Sequence, residues 1–244
     1  MSNKQILLRG AGRLKVAQYD PAGFLGGYRF VGNVPMLKLE PKVTLVEHRE
    51  DQTGYRFKDL RITDTSDLSV SFTLENASID NFSMGFFGDI SSESGTGTFT
   101  STISGPIVAG LDYKFGKPGS TITTATGPSL IAASDYIVNK DGTATFKADI
   151  AGDVAVAGNK AKSTSTTILT RQTPQIALLF EGLNTANNRS SVIVDLPRIG
   201  LNPAKGYDLV GNTIAKMDMD GDAIYDPNSV AEGVLAGYGT ITLA

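Results

Sequence analysis

DLSVSFTLE, the stretch from Asp67 to Glu75, alternates apolar and polar side chains over its whole length. Successive side chains of a β-strand point to opposite faces, so this period of two predicts a strand in a half-buried sheet. The face predicted to enter the core carries Leu68, Val70, Phe72 and Leu74. The face predicted to stay polar carries Asp67, Ser69, Ser71, Thr73 and Glu75.

Other segments also predict strands. In MLKLEPKVTLVE, residues 36–47, the alternation is weaker and we expect Pro41 to interrupt the hydrogen-bonded ladder. SDYIVNKDGTATFKADI predicts a hairpin that turns at Asp141 and Gly142, since glycine accepts the positive φ of a tight turn. QIALLFEG and SSVIVDLPRIGL predict an antiparallel pair around a polar tip at residues 184–189.

The composition supports a chain made mainly of short strands. Glycine supplies 27 of 244 residues, above the usual share of about 7%. Serine and threonine crowd residues 91–105 and 156–167, which we expect to form surface loops or edge strands. We therefore predict an all-β fold, a β-sandwich or half-barrel with one short flanking helix, in a single domain over residues 1–244.

One amphipathic helix is predicted at about residues 77–87. Its apolar positions follow helical spacing, and Gly88 is placed to end it. Asn76 or Ser78 can cap its first turn. The helical residues that we expect in the core are Ile79, Phe82 and Phe86.

The charge balance and the lack of reactive motifs argue against several functions. With 22 Lys and Arg against 25 Asp and Glu, the net charge of -3 does not suit a surface that binds a nucleic-acid duplex. The chain has no cysteine, and its one histidine, His48, lies in no recognisable nucleophile motif. The first residues contain no apolar run long enough for a secretion signal. We expect no enzyme activity and no cofactor.

The segment KMDMDGDAIYD is the sharpest cluster of acidic residues. Asp218, Asp220 and Asp222 are weak candidates for binding a hard cation such as Ca²⁺. An EF-hand loop starting at Asp218 would need glycine at its sixth position and an acid at its twelfth, but Ala223 and Ser229 stand there. The alternative is a hairpin with Asp220 and Gly221 at its turn.

Five segments, in this order, resemble the major tail tube protein of long-tailed bacteriophages, the siphophage type more than the contractile one. They are LLRGAGRLKVAQYD, GYRFVGNVPMLKLE with its Gly32-Asn33-Val34 turn, the stretch from Val46 to Asp89 with Thr53-Gly54 and Gly88, SDYIVNKDGTATF, and LLFEGLNTANNRSSVIVDLPRIGLNP. The segments span most of residues 5–226. The stretches 91–105 and 156–167 do not align with the family pattern and are expected to be surface elaborations.

The resemblance implies a structural virion protein of the phage tail, made in the host cytoplasm. Subunits of this family form hexameric rings, and their inner sheets join edge to edge into a β-barrel. The rings stack into a tube through which genomic DNA leaves without specific binding. Other expected partners are the tape measure, tail terminator and distal tail or baseplate proteins. No contact with a membrane is expected.

The resemblance also suggests roles for particular regions. Residues 1–20 would form an N-terminal arm, and the charged loop 47–59 would contact the adjacent ring through Glu47, His48, Arg49, Glu50, Asp51, Arg56, Lys58 and Asp59. The polar face from Asp67 to Glu75 would line the lumen, the alternative being an ordinary strand that faces solvent. The tip at residues 184–189 would face a neighbouring subunit or solvent.

A second class of function stays open, a soluble β-sandwich module that binds glycans or calcium. Glycan binding would favour exposed aromatic platforms, but the chain has no tryptophan and its eight tyrosines are scattered.

Overall fold

The computed structural model describes residues 10–243, except for 53, 129, 186–189, 227–229, 232, 233 and 236. This part of the chain consists mostly of β-strands and contains one short α-helix, so the all-β prediction is confirmed. None of its helices is long and apolar enough to cross a membrane.

The chain divides into two compact units. The main unit comprises Met1–Asp89 and Thr167–Ala244, and the inserted unit comprises Ile90–Thr166. The sequence prediction of a single domain did not separate this insert. The Ser/Thr-rich stretch 91–105 and nearly all of 156–167 lie inside it, where they form strands.

The first part of the main unit contains β1 Gly10–Gln18, β2 Arg29–Phe30, β3 Met36–Arg49, β4 Lys58–Leu74 and α1 Ile79–Gly85. The inserted unit contains β5 Ile90–Ser94, β6 Thr98–Ile103, β7 Asp112–Lys114, β8 Thr121–Thr126, β9 Leu130–Ile131, a 3-10 turn at Ala133–Asp135, β10 Tyr136–Val138, β11 Thr143–Phe146, β12 Val154–Asn159 and β13 Lys162–Thr166. The main unit resumes with β14 Gln175–Asn184, β15 Ser190–Leu201, β16 Met217–Ala223, β17 Val230–Ala231, β18 Val234–Leu235 and β19 Thr240–Leu243.

The main unit is built on an eight-stranded sheet in the order β2-β1-β14-β15-β16-β4-β3, with β19 beside β15. The predicted pair β14 and β15 is confirmed, with Leu178 opposite Leu196. Most of its predicted tip, residues 186–189, lies outside the described residues. β15 pairs with β19 along one half and with β16 along the other.

The core of the main unit lies on one side of this sheet. Val70, Phe72 and Leu74 are fully buried, as the alternation in β4 predicted, whereas Leu68 is half-buried at the margin of the core. The facing strands add apolar residues from positions far along the chain, including Ile176, Leu178, Val194, Leu196, Met217 and Met219.

Helix α1 is shorter than predicted and packs through a different side. Ser78 caps it, because its hydroxyl accepts a hydrogen bond from the backbone N–H of Asn81 at 3.3 Å. Ile79, Phe82 and Phe86 were predicted to be core residues, but all three are only half-buried. The fully buried apolar side chain is Met84.

The close approach of α1 to the sheet explains why the helix buries a different side than predicted. Gly85 sits against Met217, and a Cβ added to Gly85 would collide with the Met217 sulfur. A helix that touches the sheet at a glycine buries the residues beside that glycine, so Met84 is covered, whereas Phe82 and Phe86 lie at the flank of the contact. Phe82 still packs edge-on against Tyr207, with ring centroids 5.0 Å apart.

Pro41 does not interrupt β3, contrary to the sequence prediction. The strand continues through it, and Pro41 stands opposite Leu68 in an unbroken stretch of register. β3 is the last strand of the sheet, and an edge strand tolerates proline where its missing N–H would face away from the ladder.

The inserted unit has its own core between two sheets, β10-β11-β7 and β6-β12-β8-β9. Phe146, Ile107 and Val154 are among its most buried residues. The predicted hairpin of β10 and β11 is confirmed, and Gly142 adopts the expected positive φ of 81°. A two-stranded ribbon of β5 and β13 completes the unit.

Candidate interaction surfaces

Strands β3 and β4 continue beyond the core as a two-stranded hairpin, residues 43–66, which we call the β3–β4 arm. Every described residue of the arm is exposed except Leu45 and Glu50, which are half-buried. The strands stay paired as far as Arg49 and Lys58. The predicted loop 47–59 is therefore shorter than expected, and residues 50–57 form its connection.

All eight charged residues predicted to contact an adjacent ring lie on the arm, and their side chains contact other residues of the arm. His48 Nδ1 lies 2.7 Å from Asp59 Oδ1, and Arg56 Nε lies 3.1 Å from Asp51 Oδ1. The remaining contacts are Glu47 with Lys58 and Arg61, Arg49 with the Arg56 carbonyl, and Glu50 with the backbone N–H groups of Gln52 and Phe57. These contacts stabilise the hairpin itself.

The cross-strand contacts also shift two carboxyl groups. The hydrogen bond from Lys58 lowers the pKa of Glu47, and the hydrogen bond from His48 lowers the pKa of Asp59. Both carboxylates therefore keep their charge to a lower pH than an isolated side chain would. Whether the arm contacts another subunit stays a prediction.

The arm also exposes large apolar side chains. Val46 and Ile62 are directly opposite each other and each is 53% exposed. At the tip, Tyr55 and Phe57 are 79% and 61% exposed and stack with ring centroids 5.6 Å apart. Val43 and Leu60 are exposed as well. A two-stranded hairpin with this much exposed apolar surface is typical of a segment that docks on a partner.

The polar face of β4 is joined by the acidic residues of β16. Asp218, Asp220 and Asp222 stand opposite Thr73, Ser71 and Ser69. Thr73 Oγ1 donates to Asp218 Oδ1 at 2.6 Å, and Ser69 Oγ donates to Asp222 Oδ1 at 2.8 Å. The structure thus combines on one surface, which we call the acidic face, two sets of residues that the sequence analysis treated separately.

The predicted turn at Asp220 and Gly221 was wrong, since β16 is one continuous strand. Its aspartates alternate with the buried Met217 and Met219. Alternate residues on one face of a strand are about 6.6–6.8 Å apart, too far for their carboxylates to surround a single cation closely. Among the described residues, no group of three or more metal-ligating side chains forms.

Residues predicted to line a lumen occupy varied environments on this face. Asp67 is exposed, Ser69 and Ser71 are half-buried, and Thr73 is only 6% exposed. Glu75 lies just beyond the end of β4, where its carboxylate is 3.3 Å from the Lys216 ammonium. The carboxylates of Asp67 and β16 therefore give the acidic face most of its negative charge, which Lys42, opposite Asp67, and Lys205, 3.7 Å from Asp220, partly offset.

A family model described as "Protein of unknown function UCP028589" matches residues 7–242. The chain belongs to this family. The match extends across both compact units of the UCP028589 protein, including the insert. No curated protein matches the chain at a significant level.

Among the described residues, two edges of the main-unit sheet lack a neighbouring strand. Within the described residues, β3 pairs with β4 alone along its 14 residues. At the opposite edge of the sheet, β1 pairs with β2 only at Lys15 and Val16. Residues 10–13 of β1 therefore have no described strand paired with their outer edge. The predicted N-terminal arm is thus partly a sheet strand, and residues 1–9 lie outside the described part.

Sequence reasoning missed two sets of residues. It listed the charges of the arm but not Tyr55, Phe57 or Ile62, although the recurring apolar positions in this polar segment were a visible signal. It also missed Asn81, which is fully buried. The Asn81 side chain donates to the carbonyls of Val31 and Asn76 at 2.8 and 2.9 Å and accepts from Arg29 at 2.7 Å, and so joins α1 to β2.

Proposed function

We propose that this UCP028589 protein is a structural subunit of a phage tail tube, which polymerises as stacked hexameric rings and forms a conduit for DNA ejection. The observation that carries the proposal is the β3–β4 arm, which leaves the core and exposes apolar side chains on a hairpin whose own charges already contact one another. Its partner would be a second copy of the chain in the adjacent ring.

The energetics of the arm favour such a partner. Fully burying one large apolar side chain contributes roughly 1.5–3 kcal/mol, whereas an exposed ion pair contributes about 0–1 kcal/mol. Tyr55, Phe57 and Ile62 would therefore supply most of the binding free energy. The charged residues would keep the arm in the conformation that binds and would set its register.

The open sheet edges support closure within a ring. Unpaired strand edges favour association with other strands, and a ring of subunits removes them by pairing each edge with a neighbour. In this protein the outer edge of β3 and residues 10–13 of β1 lie at opposite edges of the sheet. A head-to-tail contact between these edges, repeated around a six-fold axis, would close a ring, and stacking of rings would then give a tube.

The acidic face supplies a wall for DNA. Asp67, Asp218, Asp220 and Asp222 present carboxylates on one face of the sheet, where Lys42 stands opposite Asp67 and Lys205 lies 3.7 Å from Asp220. Carboxylates repel phosphates, and several of the lysines on or beside this face already pair with carboxylates, so a duplex would move past without being held strongly by the Lys and Arg contacts that dominate DNA affinity. The proposal places the protein in the virion tail, beside tape measure, tail terminator and distal tail or baseplate proteins.

The proposal is tested by electron microscopy of the concentrated, purified chain. We expect rings or hollow tubes from the unaltered protein and none from a variant that lacks residues 48–58, which should still fold. A double substitution, Tyr55→Ser with Phe57→Ser, should also abolish tubes. Ile137→Ser, at a 54% exposed position of the inserted unit, is the matched control and should assemble normally.

Two results would count against the proposal. Normal tubes from the deletion variant would show that the arm is not an assembly contact. Persistent monomers of the unaltered chain at every concentration would favour the other class of function, a binding module. The calcium form of that alternative has no support in the described residues, as the aspartates of β16 are spread along a strand.

A further inference from the structure

The inserted unit contains a cleft of about 240 Å³ that its own residues form. Phe99 and Phe115 form the apolar part, and their rings stack with centroids 5.9 Å apart and planes 15° apart. Ser101 and Ser120 add hydroxyl groups to the lining. Ligand pockets for drug-sized molecules occupy about 300–1,000 Å³, so this cleft suits a single ring.

The rim of the cleft has an excess of positive charge. Lys117 Nζ donates to one carboxylate oxygen of Glu93 at 3.1 Å, and Lys160 Nζ donates to the other at 3.4 Å. Two ammonium groups thus share one carboxylate, which leaves a formal charge of plus one. All three side chains are partly exposed, so a ligand can reach them. A second carboxylate would give each lysine its own anionic partner.

The combination of groups defines the chemistry of a ligand. An aromatic surface packs against the C–H groups of a ring, hydroxyl side chains exchange hydrogen bonds with ring substituents, and the lysines bind an anion. In this cleft Phe99 supplies an aromatic surface, Ser101 a hydroxyl group and Lys117 an ammonium group. A neutral sugar would leave the positive charge uncompensated, and a purely apolar ring would leave the hydroxyl groups without partners.

We infer that this cleft binds one acidic sugar unit, a hydroxylated ring that carries a carboxylate. The cleft is formed by residues of the inserted unit and the surfaces invoked for tube assembly by residues of the main unit, so the inference stands or falls independently of that function. A ligand of this size on a partly exposed site binds weakly, with a Kd on the order of 1 mM. On an assembled particle, many copies of the site would raise the overall affinity for a polysaccharide.

Saturation-transfer NMR on the full chain tests the inference with sodium glucuronate, glucose and benzoate as probes. We expect saturation transfer to glucuronate, and neither glucose nor benzoate should compete with it at equal concentration. Lys117→Gln and Lys160→Gln should each weaken glucuronate binding about fivefold, the upper range for a partly exposed charge pair. Lys147→Gln, on the same unit outside the cleft, should leave it unchanged.

Glu93→Gln gives a prediction of opposite sign. Removing the competing carboxylate frees both ammonium groups for the ligand, so glucuronate should bind several-fold more tightly. A merely structural ion pair would give the reverse, because all three substitutions would loosen the cleft together. Circular dichroism verifies that each variant is folded.

Several outcomes would overturn the inference. They are the absence of saturation transfer to glucuronate at tens of millimolar, equal competition by glucose, and lysine variants that bind like the unaltered chain. Binding of benzoate but not glucuronate would show an aromatic carboxylate site and reject the sugar. Weaker binding by Glu93→Gln would reject the charge competition on which the inference depends.

Discussion

The β3–β4 hairpin has two regions that follow the same alternation and end in different environments. Near α1, Phe72 and Leu74 are at most 1% exposed, whereas in the β3–β4 arm Leu60 and Ile62 are at least 50% exposed. Both regions belong to the same strand, β4. Alternation therefore determines which side chains share a face, and other elements determine whether that face is covered.

The covered region has partners from distant parts of the chain. β16 pairs with β4 only between Ser69 and Leu74, and α1 adds Met84 to the same core. Beyond this point β4 pairs only with β3 among the described residues, so the arm has no second layer. In the described part of the chain, the apolar side chains of the arm are therefore left exposed.

Truncating a side chain in each region should give the largest contrast. Phe72→Ala should lower the free energy of unfolding by about 3–5 kcal/mol, because it leaves a cavity in a fully buried site. Ile62→Ala should change it by about 0.5 kcal/mol or less, as expected for an exposed site. Urea denaturation of the unassembled chain, followed by circular dichroism, measures both. Equal losses would mean that the arm folds against the core.

The polar face of β4 offers a smaller contrast. Thr73→Val removes the hydroxyl that donates to Asp218 at a buried position and should cost about 1 kcal/mol of stability. Ser69→Ala removes the matching bond to Asp222 at a half-buried position, and water can replace it, so the loss should be smaller. The same denaturation experiment applies, and a larger loss for Ser69→Ala would contradict the order of burial.

The smallest effect concerns the pH response of the carboxyl groups. The pKa of Asp59 is lowered from its ordinary value of 3.8 by the His48 hydrogen bond, whereas burial raises the pKa of Asp195 on β15. The Asp59 contribution to arm stability is thus fully present above pH 3.8 and is lost as the pH falls through the lowered pKa. Protonation of Asp195 instead favours the folded state.

NMR titration of the side-chain carboxyl groups checks these directions. His48→Ala should return the pKa of Asp59 toward its ordinary value and leave that of Asp195 raised. An unchanged Asp59 in this variant would show that the arm does not hold the two side chains together in solution.

The hairpin at Asp141 and Gly142 shows how far local reasoning reaches. Its turn depends on the positive φ angle that Gly142 accepts, so the residues of the turn itself predict it. The strands β14 and β15 were predictable for the same reason. The division into two units was not, because it depends on whether strands from residues 90–166 share a core with each other or with the rest.

The aspartates of β16 show where local reasoning fails. A run of alternating acids with a glycine suits a turn, a cation loop or a strand equally well in isolation. Pairing with Ser69, Ser71 and Thr73, which lie roughly 150 residues earlier in the chain, selects the strand. Helix α1 is similar, since its periodicity was visible but the contact of Gly85 with Met217 decided which side was buried.

By itself the sequence determined the β class, the alternating faces of β4 and the tight hairpin, because each follows from backbone sterics and side-chain direction within a few residues. It limited the helix cap to Asn76 or Ser78, and the structure selected Ser78. The tertiary structure decided which faces are covered, that β16 completes the acidic face, and that no described strand other than β3 pairs with β4 along the arm. Those features depend on contacts between segments far apart in the chain, and the free energy of burial, not local propensity, selects among them.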